Sequence, residues 1–339
     1  MAGFLNEIFR LVGRSKGALP EAVGPGHPCS AALPDAVELA VDRIDGRLRL
    51  ISGYSRRLQE PLVGTFRHID ALVEGVPGAL LCCRSAFNED PRVNAFFVNP
   101  GHMQEVFSES AEVRGVFDRE PDIDECWALL CMRREERNHL GMSLIGDSVQ
   151  RDVMQTSVSF TDHQVVSAGC SEPEARDSLK CCIFNGLLGY ARNRLNEARS
   201  AGAEIENRLK ALRGRQRRAR DAEGSGGSTA RLEAQIDDLE QQLARQDLRL
   251  TSLEDHLAFV EQVFRNPDEY LSGANCSIRL SRLGIKLKPG AADSGYEVPL
   301  SEISIASHRP RVSVLARFPR AELLPRKDFL VQANLFLAH

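Results

Sequence analysis

The sequence predicts an α+β chain: a mostly helical N-terminal domain, a long antiparallel coiled-coil hairpin, and a small C-terminal β-barrel or sandwich. Three observations predict it. Leu232, Ile236, Leu239, Leu243, Leu250, Leu253, Leu257, Val260 and Phe264, with Gln246 between them, follow alternating steps of four and three, the spacing that keeps one stripe facing a partner helix. A leaner stripe precedes it, running from Phe184 through Leu188, Ala191, Leu195, Ala198, Gly202, Ile205, Leu209 and Leu212. Beyond Asn266, short β-prone runs are punctuated by Pro289-Gly290 and Arg309-Pro310.

Residues 172–265 form the expected hairpin, with its tip at 222–228, where several glycines make a continued helix costly at roughly 1 kcal/mol each. Folding back there sets the small residues Ala191, Ala198 and Gly202 against Val260, Leu253 and Leu250. Between Arg208 and Arg220 stand seven basic residues and no acid. Arg213, Arg215, Arg217 and Arg218 are therefore candidate partner contacts. Salt bridging to Glu233, Asp237, Asp238, Glu240 and Asp247 on the return helix is the simpler use of the same charge. With a net charge of −4 and no aromatic residues interleaved for stacking, nucleic acid is not the expected partner.

Residues 1–16 have the pattern of a short amphipathic docking helix. Phe4, Leu5, Ile8, Phe9 and Val12 share a face, and Arg10, Arg14 and Lys16 add positive charge. Phe4, Ile8 and Phe9 are the candidate contacts with a protein groove or a peripheral membrane surface; packing back onto the body is the alternative. Residues 17–34 carry four prolines and three glycines and read as a flexible linker.

Residues 35–171 form the expected mainly helical domain. Val37, Val41, Ile44, Leu48, Ile51 and Leu58 recur at helical spacing, and Pro61 interrupts or restarts the helix. Asp90 caps a helix, Asn99-Pro100-Gly101 is a turn, and Asp122 to Leu140 reads as a further helix through Ile123, Trp127 and Leu130. Its charges at 133–137 then make a solvated helix face. Thr156-Ser-Val-Ser-Phe-Thr161 alternates, so a β-hairpin is expected near 142–166. Residues 266–339 form the β-rich domain, with strands at Ser277–Leu280, Gly284–Leu287, Glu297–Ile305, Arg311–Phe318 and Phe329–Leu337.

Chemistry is sparse in the sequence. No P-loop, G-x-G-x-x-G or H-E-x-x-H occurs, and Gly141-Met-Ser-Leu-Ile-Gly146 misses the nucleophile-elbow spacing by one residue. Asp162-His163 is the nearest approach to an acid–base pair, yet neighbours on a strand point to opposite faces. Nine cysteines include no C-x-x-C and two adjacent pairs, as expected of reduced, buried, cytoplasmic thiols. Neither a metal nor a cofactor is expected. No apolar run reaches the length of a membrane-spanning helix, and the start of the chain lacks a secretory signal pattern.

Ser281-Arg-Leu-Gly-Ile285, a Ser-x-x-Gly followed by a strand, resembles the PilZ domain, a small β-barrel that binds cyclic dinucleotides in bacteria. The order of the later strands is similar as well. The position two before the serine, acidic or Asn in that family, is Arg279, and no R-x-x-x-R precedes the strands. The resemblance implies a ligand site at Arg279, Ser281, Arg282, Gly284, Arg309 and Arg311, with arginines holding phosphate. The first expectation, drawn from the hairpin, is a non-enzymatic cytoplasmic scaffold or adaptor that acts through the projecting coiled-coil arm and self-associates or binds a protein. The alternatives are a PilZ-like sensor of a cyclic dinucleotide or similar anion, and an enzyme housed in residues 35–170.

Overall fold

A computed structural model describes residues 33–145, 148–221, 226–245, 252–288, 295–306 and 309–326. The proposed docking helix, most of the linker, part of the proposed tip and the apolar run Phe329–Leu337 lie outside these residues. The chain divides into two compact units, one from Ser30–Arg67 and Asn185–Glu269, the other including His68–Phe184 and Tyr270–His339.

The first unit is helical. Helix α1 (Leu33–Ile44) buries Ala36, Val37, Ala40, Val41 and Ile44 on one face. A 3-10 turn (Gly46–Leu50) follows, capped by Asp45. Gly53, at φ +76, then turns the chain into α2 (Tyr54–Glu74), a conformation that favours glycine. Pro61 sits inside α2 without ending it. The unit also holds residues 185–221 of α7 (Glu172–Asp221), α8 (Gly226–Arg245) and α9 (Leu253–Arg265). Leu187, Leu188, Ala191, Leu195 and Ala198 of α7 are buried, as are Leu257, Val260, Val263 and Phe264 of α9.

Three of these elements meet at one buried carboxylate. Asp45 accepts hydrogen bonds from the Arg47 backbone at 3.2 Å and from Arg47 Nε at 3.1 Å. It also pairs with Arg199 of α7, and its Oδ2 lies 3.4 Å from Nδ1 of the buried His256 on α9. Burial alone would raise the Asp45 pKa, but the Arg47 hydrogen bonds and the Arg199 charge outweigh it and hold the carboxyl at about 2.

The expected coiled-coil hairpin is not what the chain builds. The return limb is not one helix: Ser252 starts α9 with a capping box, accepting from Asp255 N at 3.1 Å while Asp255 Oδ2 accepts from Ser252 N at 3.0 Å. Helices α7 and α8 do touch, through Ile205, Leu209 and Ile236 with Leu212 and Leu239 beside them. Arg213 reaches Glu240 at 2.6 Å, and Gln216 reaches Glu233 at 3.1 Å. The first turns of α7 serve a different purpose, described next, so the heptad stripe is divided among three settings. Gly226–Ser228, read as part of the tip, already belong to α8.

The second unit corrects the rest of the expected architecture. Among the described residues the expected C-terminal β-domain is met only in part, because its strands belong to a larger sheet that also draws on residues 125–169. Its order is β3-β2-β6-β5-β4, with β1 (Leu80–Leu81) running parallel to β6. Strands β2 (Glu125–Ile145) and β3 (Ser148–Gly169) make a hairpin far longer than the one expected near 142–166. The helix expected over Asp122–Leu140 is therefore strand β2, and the charges at 133–137 lie on it. Residues 125–132 pair with 312–319 of β6 (Arg311–Pro319). β5 (Tyr296–Ile305) touches β6 over three residues and pairs along its whole length with β4 (Leu271–Leu280).

Both faces of this sheet are covered. On one, Leu130, Met132, Val158, Phe160, Val298, Leu300, Val314 and Phe318 share a core with Phe96, Phe97, Met103, Phe107, Val113 and Phe117. Those phenylalanines and their neighbours come from four short helices: α3 (Arg84–Glu89), α4 (Pro91–Phe96), α5 (Pro100–Glu109) and α6 (Ala111–Arg119). Asp90, Asn99 and Ser110 cap the last three, each accepting a backbone N–H. Phe107 stacks on Phe318 with ring centroids 4.7 Å apart. On the other face Leu179, Cys182 and Ile183 of α7 lie over Leu129, Cys131, Ile303 and Ile305.

The polar joint at Asp45 makes a direct prediction. Asp45→Ala should cost about 2–3 kcal/mol at neutral pH, the scale of lost charge-assisted hydrogen bonds. Because the folded-state pKa is depressed, the contribution is complete above the unfolded value near ~3.9 and is lost as pH falls toward about 2. Urea melts of wild type and Asp45→Asn should converge over that window; parallel curves would show that Asp45 is not the titrating group.

Candidate functional site

The Ser-x-x-Gly segment folds as a tight turn that completes the sheet. Ser281 N donates to Ile285 O at 2.9 Å, and Ser281 Oγ accepts from Leu283 N at 3.3 Å and Ile285 N at 3.2 Å. Gly284 adopts φ +71, and a Cβ there would stand 3.2 Å from the Val158 carbonyl. Its own carbonyl accepts from Val158 N at 2.8 Å, while Lys286 N donates to Thr156 O at 2.8 Å. Leu287 N donates to Arg279 O at 2.8 Å. Residues 284–287 thus bridge β4 to β3, the two ends of the strand order. Ser281 and Gly284 have a complete structural account.

The six residues singled out by the resemblance do not converge. Arg279 pairs with Glu297 in the β4–β5 ladder, and Arg311 pairs with Ile303 in the β5–β6 ladder. Six positions on β5 separate these points, roughly 20 Å at 3.3 Å per residue. Arg282 is exposed on the turn. Arg311 is buried, and donates to the Gln164 side chain at 3.2 Å, to the Asp162 carbonyl at 3.3 Å and to the Asp162 carboxylate.

Arg309 joins a second feature that the sequence did not suggest, an open groove lined with charge. Arg133, Arg134, Glu135, Glu136 and Arg137 line it from β2, with Glu302 and Arg309 beside them. Arg134 binds Glu302 at 3.1 Å, Arg133 binds Glu135 at 2.8 Å, and Lys286 binds Glu136 at 2.9 Å. Hydrogen bonds from Arg137 and Thr161, with Arg133 and Arg137 nearby, lower the Glu135 pKa. These are cross-strand and neighbour pairs, invisible while β2 was read as a helix.

Asp162 and His163 sit at a bulge. Between Cys131 and Arg133 the β3 side carries an extra residue, and Asp162 adopts φ 55 there. The bulge aims the two side chains at different partners. Asp162 takes Arg311, whereas His163 Nε2–H donates to the Phe96 carbonyl at 2.6 Å and its ring stacks on Phe97 at 5.3 Å. Burial lowers the His163 pKa, the carbonyl bond works against that, and His102 adds a further lowering. A neutral, hydrogen-bonded ring stacked on a phenylalanine is a packing element.

The thiols are equally committed. All eight described cysteines are free. Burial pushes Cys126 up to about 12 and Cys131 up to about 11, and raises Cys82 and Cys182 as well, which suppresses thiolate chemistry. Among the described residues no group of three His, Cys, Asp or Glu side chains is placed to hold a metal. Of the proposed partner contacts, Arg213, Arg215, Arg217 and Arg218 are exposed along α7. Phe4, Ile8 and Phe9 lie outside the described residues.

One carboxyl stands apart. Burial raises Glu112, in the first turn of α6, to about 7. An acid whose folded pKa is raised costs stability above its unfolded pKa near ~4.3, the full cost arriving above about 7. Glu112→Gln should therefore stabilise the chain by about 1–3 kcal/mol at pH 8 and by nothing near pH 4, read from denaturant melts. An equal effect at both values would exclude the titration.

Compared with family models, curated proteins and solved structures, the chain matches none. The likeness of Ser281–Ile285 to the PilZ pattern therefore rests on the sequence alone.

Proposed function

We propose that the chain is a non-enzymatic scaffold or adaptor working in the cytoplasm. The observation that supports this reading is where its chemical groups are spent. Asp162, His163, Asp45 and His256 are tied into structural contacts, and the buried thiols are held protonated. What faces solvent is surface suited to binding: the basic run on α7 from Arg208 to Arg218, of which Arg208 is paired with Glu204 and Arg213 with Glu240. Among the described residues no helix is long and apolar enough to cross a membrane. Residues 1–16 fit the same reading as a docking peptide, with Phe4, Ile8 and Phe9 as its apolar contacts.

A second reading is a sensor of a cyclic dinucleotide or similar anion. It is favoured by one observation: the Ser281–Gly284 turn forms, with Arg282 exposed on it and Arg279 on the strand before it. Its ligand would meet guanidinium groups and the turn, without Arg311.

Native mass spectrometry of gently purified protein separates the readings. The adaptor should carry a stoichiometric protein partner or a second copy. Reversing Arg215, Arg217 and Arg218 to Glu should remove the protein partner while leaving the melting temperature within a few degrees. A retained nucleotide, lost in Arg279→Ala and Arg282→Ala, would replace the adaptor with the sensor.

A further inference from the structure

Strand β2 outruns its neighbour. β6 accompanies it only as far as Met132, because β6 begins at Arg311 and the residue before it, Pro310, has no N–H to extend the ladder. From Arg133 to Leu140, β2 has β3 on one edge and, among the described residues, no strand on the other. In an antiparallel ladder, successive residues of a strand turn their N–H and C=O groups to opposite edges. Thr156 O and Val158 N are taken by Lys286 and Gly284. Ser157 and Ser159 therefore turn theirs to β2, and their partners Arg137 and Glu135 turn theirs to β3. The backbone groups of Arg134, Glu136 and Asn138 point the other way, to the open edge.

The charged groove of about 460 Å³ lies along this edge. Four arginines and three glutamates line it, and Lys286 neutralises one of the glutamates, Glu136, so positive charge is in surplus. Arg134 and Glu136, opposite Phe160 and Val158, take the core face, where Arg134 is spent on Glu302 at 3.1 Å. Arg133, Glu135 and Arg137 take the other face. There one carboxylate serves two guanidinium groups, at 2.8 Å from Arg133 and 3.0 Å from Arg137, and the Arg137 side chain is 77% exposed. Arg309 is exposed and makes no ion pair or hydrogen bond among the described residues. Charge on an open edge turns most strands away. A surplus of one sign leaves a single class of strand favoured.

We infer that residues 133–138 of β2 are a docking edge for an extended segment of a partner protein with two acidic side chains four positions apart. The segment pairs with the backbone of Arg134, Glu136 and Asn138, as strand addition requires. Its two carboxylates stand opposite Arg133 and Arg137, because side chains four apart share one face. This edge shares no residue with α7 or with residues 1–16, so its test is separate from theirs.

The test combines amide hydrogen exchange with binding of the full chain to a labelled threonine peptide carrying two glutamates four positions apart. In the free chain the amides of Arg134, Glu136 and Asn138 should exchange about tenfold or more faster than those of Glu135 and Arg137, and saturating peptide should slow them. Lysine in place of the two glutamates should weaken binding about tenfold or more, as should Arg133→Glu with Arg137→Glu. N-methylation of one alternate set of peptide amides should abolish binding, and methylation of the other set should be tolerated. Absence of peptide binding, equal binding of the glutamate and lysine peptides, or equal tolerance of both methylated forms would overturn the inference. Slow exchange of the three edge amides in the free chain would overturn it as well. Relief on removing residues 327–339 would then name the chain's own end as the occupant, and relief on dilution a second copy.

Discussion

The pairing of β2 with β6 is the contact on which the larger unit depends. It sets residues 125–132 beside 312–319, so strands almost two hundred positions apart in sequence share one ladder. Everything apolar in that unit is arranged around it. The α3–α6 helices cover one face and the first turns of α7 the other, and β1 extends the same edge of β6 that β5 leaves after three residues. The turn at Gly284 then joins β4 to β3. Because the edge strands find partners this way, few of the unit's inner backbone groups are left for water or a neighbour.

Local signals were legible where one physical rule applied. The cap at Asp90, the α1 stripe, and the strands over Glu297–Ile305 and Arg311–Phe318 follow from sequence alone. The failure at 122–140 has an identifiable cause. Cys126 to Met132 is a continuous apolar run, which satisfies a helical period and a fully buried strand equally well. Ile123, Trp127 and Leu130 happened to fit the helical template. Only the long-range partner β6 decides the matter, and nothing local announces it. The heptads misled in a similar way: a stripe shows that a helix buries one side, not that one partner covers it throughout.

The candidate site was legible in part. Ser281 and Gly284 stood out by their resemblance to a ligand motif; the turn they form, with a left-handed backbone and a serine that bonds two amides, was not read from the sequence. Their neighbours were grouped by sequence proximity and residue type, and such grouping cannot see that Arg279 and Arg311 sit at separate places along β5. The Arg134–Glu302 and Lys286–Glu136 pairs were out of reach for the same reason: cross-strand chemistry is defined by register, which the turns and bulges set.

The discontinuous make-up of the sheet also governs how the chain comes into being on a ribosome. Strand β3 ends at Gly169 and β6 begins at Arg311, with about 140 residues between them. At synthesis rates of about 5–20 residues per second, that interval lasts on the order of 7–28 seconds. During it the apolar segment Cys126–Met132 has its hairpin partner on one edge and no β6 on the other. The newborn chain therefore passes through a stage with a greasy, unfilled strand edge, a form that attracts other chains and that chaperones recognise. The helical unit, whose segment Ser30–Arg67 is made before that interval and whose segment Asn185–Glu269 is made within it, has time to fold first.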